Sequence, residues 1–270
     1  MAAAPQAHRW VLLVCVLGSA CAGSVQSVPP GSPDLQVKLP SGVGVHIRYD
    51  ASESVVADVI RQDLPGVVDQ ASAWGNLTSD LVIRIHRDRA ALRRYVTTAE
   101  HDWVDAWATH QSIDIQSTRA SHTDHWWDHL RSTLVHELTH VVFFQSAGIR
   151  GDWQESGVPF WFVEGMAVRA AQARPDPQAL AAMAAYTATH SRDHVLHPSA
   201  ESMAESAKIM YVAAGLIFER LRKLRGDEGI RKIASGLAKG EGFAQVFRTV
   251  YDRSPREFEQ SWWNQIGQEF

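Results

Sequence analysis

WWDHLRSTLVHELTHVVFFQ, residues 126–145, reads as one helix whose apolar side chains Leu134, Val135, Leu138, Val141 and Val142 are available for packing. Within it stand His136-Glu137-Leu138-Thr139-His140. Residues four apart on a helix lie one above the other, separated by about 6 Å of rise. Two imidazoles so placed can converge on one metal ion at about 2.0–2.1 Å each. Glu137, next to the first of them, can then reach a water on that metal without ligating it. In a chain with 13 histidines the five residues alone do not decide the matter, because two satisfied histidines on a solvated face would read the same.

The deciding signal lies downstream. Pro159-Phe160-Trp161-Phe162-Val163-Glu164-Gly165-Met166-Ala167 begins with a proline suited to a first helical turn, and places Glu164 one turn further in. Large apolar neighbours on this helix predict its burial, and a buried carboxylate without a partner is costly. A cation held by His136 and His140 is a natural partner for Glu164.

Together these residues resemble the gluzincins, the peptidase MA-like zinc peptidases related to thermolysin and the zinc aminopeptidases. The resemblance is specific over about residues 124–170. It implies a zincin-like fold and one Zn²⁺ per chain, with His136, His140 and Glu164 as ligands and Glu137 as general base. It implies peptide or protein as substrate, and a tyrosine on a later helix as donor to the developing oxyanion. Tyr211 is the candidate for that donor, although a tyrosine on an amphipathic helix is also common in cores. The strand expected at Ser112–Gln116 would be the edge strand that pairs with extended substrate. One position departs from the pattern. Many relatives carry an acidic residue four positions after the glutamate ligand, where it orients a histidine, and here that position is Val168.

Outward from the motif, the remaining chain divides in two. Val45–Tyr49, Leu81–Ile85 and Ser112–Gln116 alternate as strands do, and helices are expected over Val55–Trp74 and Arg87–Val96. Beyond Asp124 nearly everything reads as helix, with breaks near 148–158, 174–177 and 192–199. Ser254-Pro255-Arg256-Glu257 carries the signature of a capped helix start. The expected class is therefore α+β, with a small N-terminal sheet half, a helical C-terminal half and the metal site between them.

The first twenty residues form an export signal: Arg9, the apolar run Trp10–Leu17, and small residues ahead of Cys21. That run is shorter than the roughly 20 residues a membrane-spanning helix needs. Leu17-Gly18-Ser19-Ala20-Cys21 resembles a bacterial lipobox, with Cys21 as the lipidated residue, while the alternative is ordinary cleavage after Ala22. Ala22 directs a lipoprotein to the outer membrane if the source is Gram-negative. Residues 22–44, rich in Ser, Pro and Gly, read as a tether, and 45–270 as the folded domain. Only Cys15 and Cys21 occur, so the mature domain has no disulfide. A net charge of -4 without a basic stripe speaks against nucleic acid as a partner.

The expectation is thus a membrane-anchored zinc peptidase, by weak preference an endopeptidase. A non-catalytic binding module that keeps the fold is the alternative, with Val168 in its favour and Glu137 against it.

Overall fold

A computed structural model describes residues 32–95, 105–117, 125–151, 153, 155–172 and 177–269. The segment read as an export signal, Cys21, the part of the expected tether up to residue 31, His122 and the far end of the second predicted helix lie outside the described residues.

Five strands build one mixed sheet: β1 (Asp34–Lys38), β2 (Gly44–Tyr49), β3 (Leu81–His86), β4 (Ala106–Ala108) and β5 (Ser112–Gln116). Their spatial order is β1-β2-β3-β5-β4, parallel at β2-β3 and β3-β5 and antiparallel at both margins. Two expectations need correcting. β1 falls inside the segment read as tether; Leu35 and Val37 alternate there with Asp34, Gln36 and Lys38, a half-buried pattern hidden among prolines and glycines. And β5 is not an edge strand, because β4 pairs outside it. Three residues are too short a stretch for alternation to be read, so β4 left no signal in the sequence.

Val45, Ile47, Leu81, Ile83, Ile113 and Ile115 have no exposed surface and turn to one side of the sheet. That side is covered by α1 (Ser54–Ala71), over β2, and by α3 (Trp126–Ala147), over β4 and β5. The rest is helical: α2 (Arg89–Leu92), α4 (Phe160–Ala170), α5 (Pro177–Thr189), α6 (Arg192–Leu196), α7 (Ala200–Ala238), α8 (Phe243–Tyr251) and α9 (Pro255–Glu269). The molecule is α+β, a small sheet half followed by a helical half. α2 is shorter than the expected 87–96 helix, and α6 occupies part of the break expected at 192–199. α7 leaves helical geometry at Ser206 and at Gly226 (φ 66°). Among the described residues no helix is long and apolar enough to cross a membrane.

α3 ends where Gly148 takes φ 71°, with the Ile149 amide donating to the Phe144 carbonyl and the Gly148 amide to that of Gln145, a Schellman closure. Gln145 ties this end to the sheet. Its Oε1 accepts from the amides of Thr78 (2.7 Å) and Ser79 (3.0 Å), and its Nε2 donates to the carbonyls of Ser79 (3.3 Å) and His110 (2.9 Å). α9 starts with the anticipated capping box: the Glu257 amide donates to Ser254 Oγ at 3.2 Å, and the Ser254 amide to Glu257 Oε2 at 2.6 Å.

α4 and α7 cross at very short range. A Cβ on Gly165 would lie 2.2 Å from the Ala214 carbonyl oxygen, and one on Gly215 2.9 Å from Cγ1 of Val168. Glycine at both positions lets the backbone of α4 settle into α7.

Candidate metal centre

α3 presents His136 and His140 from successive turns, and their rings stand 4.8 Å apart at 76°. α4 faces them with Glu164, whose Oε2 lies 3.1 Å from His136 Nε2 and 3.5 Å from His140 Nε2. One donor atom from each of the three residues falls within 4.8 Å of the others. His136 is 2% exposed; His140 and Glu164 are fully buried.

The electrostatics of this cluster suit a cation. Burial alone would push the His140 imidazole down, but the Glu164 carboxylate, its hydrogen bond and Glu137 outweigh burial and hold it above the usual histidine range. Burial likewise opposes ionisation of Glu164, and the two histidines more than offset it, so its carboxyl sits below the usual range. Two imidazoles and one carboxylate, all buried, make a set of donors able to hold a divalent metal. His140 Nδ1 and Oε1 of Glu164 lack hydrogen-bond partners among the described residues, which fits side chains with coordination capacity to spare.

Glu137 lies between the two histidines in sequence and is fully buried. Tyr211, from α7, is 8% exposed, and its ring centroid lies 6.1 Å from that of His136 and 6.0 Å from that of Phe160. The helix crossing at Gly165 brings α7, and Tyr211 with it, close to α3. All five residues singled out in the sequence for this region therefore occupy one neighbourhood. Cys21, singled out for lipidation, lies outside the described residues.

Val168, where an acidic residue was looked for, packs on Gly215. His140 Nδ1 has no acceptor among the described residues. The ring is instead steadied by Phe144 one turn further on, stacked at 5.9 Å and 16°. Phe144 was not legible as a site residue, since an apolar residue four positions after a histidine is ordinary on a buried helix.

The other described histidines stay apart from the cluster. His125 is exposed beside Asp128, and His190 stacks on Tyr186 at 3.9 Å. His129 sits two turns before His136, where burial pushes its pKa down and Asp105 opposes this. His197 pairs with Glu259. Trp153 and Trp161 are core residues, and Trp126 and Trp127 pack on the core's margin.

No protein-family model, no curated protein and no solved structure matches this chain. Its function must be argued from the site itself.

Proposed function

We propose that this chain is a zinc-dependent peptidase of gluzincin type, with a zincin-like fold, exported and anchored to a membrane through a lipid on Cys21. The observation that carries the reading is the convergence of His136, His140 and Glu164 donor atoms within 4.8 Å, with Glu137 buried beside them.

His136 and His140 from α3 and Glu164 from α4 would hold the ion. Zinc, when bound, supplies Lewis-acid polarisation of a peptide carbonyl and acidifies water. Glu137 supplies the proton traffic: its carboxylate takes a proton from the attacking water and passes it to the amine that leaves. Tyr211 donates its phenolic hydrogen to the carbonyl oxygen as that oxygen gains charge. Among the described residues no strand pairs with the outer side of β4, next to α3, and its backbone groups would be offered to an extended peptide, the role expected of β5.

A non-catalytic binding module is the second reading. It is favoured by Val168, which stands where many gluzincins carry an acidic residue, and by His140 Nδ1, which has no acceptor among the described residues. Such supporting partners typically matter about 10–100-fold for metal affinity or activity.

The deciding measurement is bound metal per chain in residues 22–270, made beside His140→Ala and Glu164→Ala. About one zinc in the wild type, lost in both variants, supports the site; none after reconstitution at neutral pH sinks it. Cleavage of a peptide library, with Glu137→Gln as the blank, then separates enzyme from binding module. Glu137→Gln should keep its zinc and lose about 10²–10⁴-fold in rate.

A further inference from the structure

α9 sends one carboxylate into the helical core. Glu259, whose side chain is 13% exposed, accepts a hydrogen bond from the Trp161 indole Nε1 at 2.6 Å on its Oε1. Its Oε2 lies 3.2 Å from Nε2 of His197.

Both partners lead towards the metal centre. Trp161 is fully buried on α4, three residues and so about one turn before Glu164. Its ring is wedged between Phe258 of α9 at 5.7 Å and Phe247 of α8 at 6.3 Å. His197 directly follows α6 and stands two residues before Ser199, whose hydroxyl accepts from the Ser202 amide at the start of α7, which reaches Tyr211 beyond its break at Ser206. One side chain of the last helix therefore touches the helix that supplies Glu164 and the connection that leads into α7.

The chemistry of the bridge exceeds what packing needs. An indole N–H in a dry interior requires an acceptor, but a neutral one would serve. A carboxylate against Trp161 and Phe258 costs desolvation, which only a second, charged partner offsets. His197 is that partner, and Asp193 on α6 and Glu259 on α9 are the charges acting on it.

We propose that Glu259 is a positioning residue for the metal centre, fixing through Trp161 the turn of α4 that presents Glu164 and fastening through His197 the start of α7. This rests on reading His136, His140 and Glu164 as a metal site. The hydrogen bond that His197 donates to Glu259, with the charges of Glu259 and Asp193, outweighs burial and holds His197 above its ordinary 6.5. The His197 arm is therefore at full strength below about pH 6.5 and lets go as pH rises through the elevated value. The Trp161 arm does not titrate with it.

Hydrogen exchange of residues 22–270 tests the two arms, alongside titration with Co²⁺ followed by its visible spectrum. Glu259→Gln keeps an amide oxygen for Trp161 but abolishes the ion pair. It should leave α4 protected and erase the pH dependence of protection at the start of α7, as should His197→Gln. Glu259→Ala should speed exchange in both segments, on the order of tenfold. It should also alter the Co²⁺ spectrum and weaken Co²⁺ binding by about tenfold or more, with Glu259→Gln largely restoring both. Trp161→Phe should loosen α4 alone. Wild type and Glu259→Ala with the same exchange, spectrum and Co²⁺ affinity would overturn the proposal while leaving the metal site standing. A wild type that takes up no Co²⁺ would remove the metal site, and the positioning role with it. Should Glu259→Ala fail to fold, the near-isosteric Glu259→Gln and His197→Gln decide: pH dependence at the start of α7 that survives in both overturns the proposal.

Discussion

Oε2 of Glu164 lies 3.1 Å from Nε2 of His136, although 28 residues and the junction of two helices separate them in sequence. Unlike a surface ion pair, this contact is dry on both sides, and a third donor from His140 faces the same point. Such a cluster gains stability from a bound cation by mass action.

Chelation should therefore destabilise the whole domain. With free metal at about 100 times Kd the gain is about 2.7 kcal/mol. For a chain of this size that corresponds to roughly 5–10 °C in Tm. Scanning calorimetry with and without EDTA measures it. His140→Ala should show no response to chelator, and an indifferent wild type would contradict the assignment.

Gly165→Ala should be among the most damaging single-methyl substitutions in the protein. The added Cβ would meet the Ala214 carbonyl oxygen at 2.2 Å and Phe218 Cβ at 2.6 Å, and backbone cannot yield as a flexible side chain can. A loss of about 1–3 kcal/mol or more in urea unfolding is expected, with weakened metal binding, because α4 carries Glu164. Gly151→Ala, where a Cβ would meet nothing within 4 Å, is the control.

Tyr211→Phe keeps the ring beside His136 and Phe160 and removes only the hydroxyl. If that hydroxyl donates to the oxyanion, kcat should fall by about 10²-fold or more. KM and bound zinc should change little. A KM effect without a kcat effect would make Tyr211 a packing residue.

Glu219 of α7 pairs across to Arg169 of α4 at 3.1 Å and, within its own helix, with Arg222 at 3.0 Å. Burial alone would raise its pKa, but the Arg222 hydrogen bond and the charges of Arg169, Arg222 and Lys223 win and hold it below 4.5. A lowered carboxyl pKa contributes stability present above the ordinary value and lost as pH falls through the lowered one. Glu219→Gln should therefore cost about 1 kcal/mol at pH 7, and progressively less below about pH 4. Parallel urea titrations at the two pH values measure the difference.

The cluster of His136, His140 and Glu164 was legible because its elements are local: an i,i+4 pair on a strongly periodic helix, then a glutamate among large apolar residues. The same held for β3 and β5, whose alternation is clean, and for the capping box of α9. β1 and β4 escaped for opposite reasons. β1 alternates but is flanked by residues typical of linkers, and β4 is too short to have a period. Sheet order is not local at all, so which strand stands at the margin could not be read. Nor could the contact between Trp161 and Glu259, 98 residues apart, since neither residue carries a pattern pointing to the other.

Gln145 has a consequence for how this chain can change over time. Its one amide group meets two backbone donors and two backbone acceptors, at 78–79 and at 110, where the chain runs into β3 and towards β5. Inserting or deleting a residue in either turn would leave buried peptide groups without partners and tilt the end of the metal helix. Descendants of this sequence should therefore vary in length elsewhere, while these two turns keep their residue count even where their side chains drift.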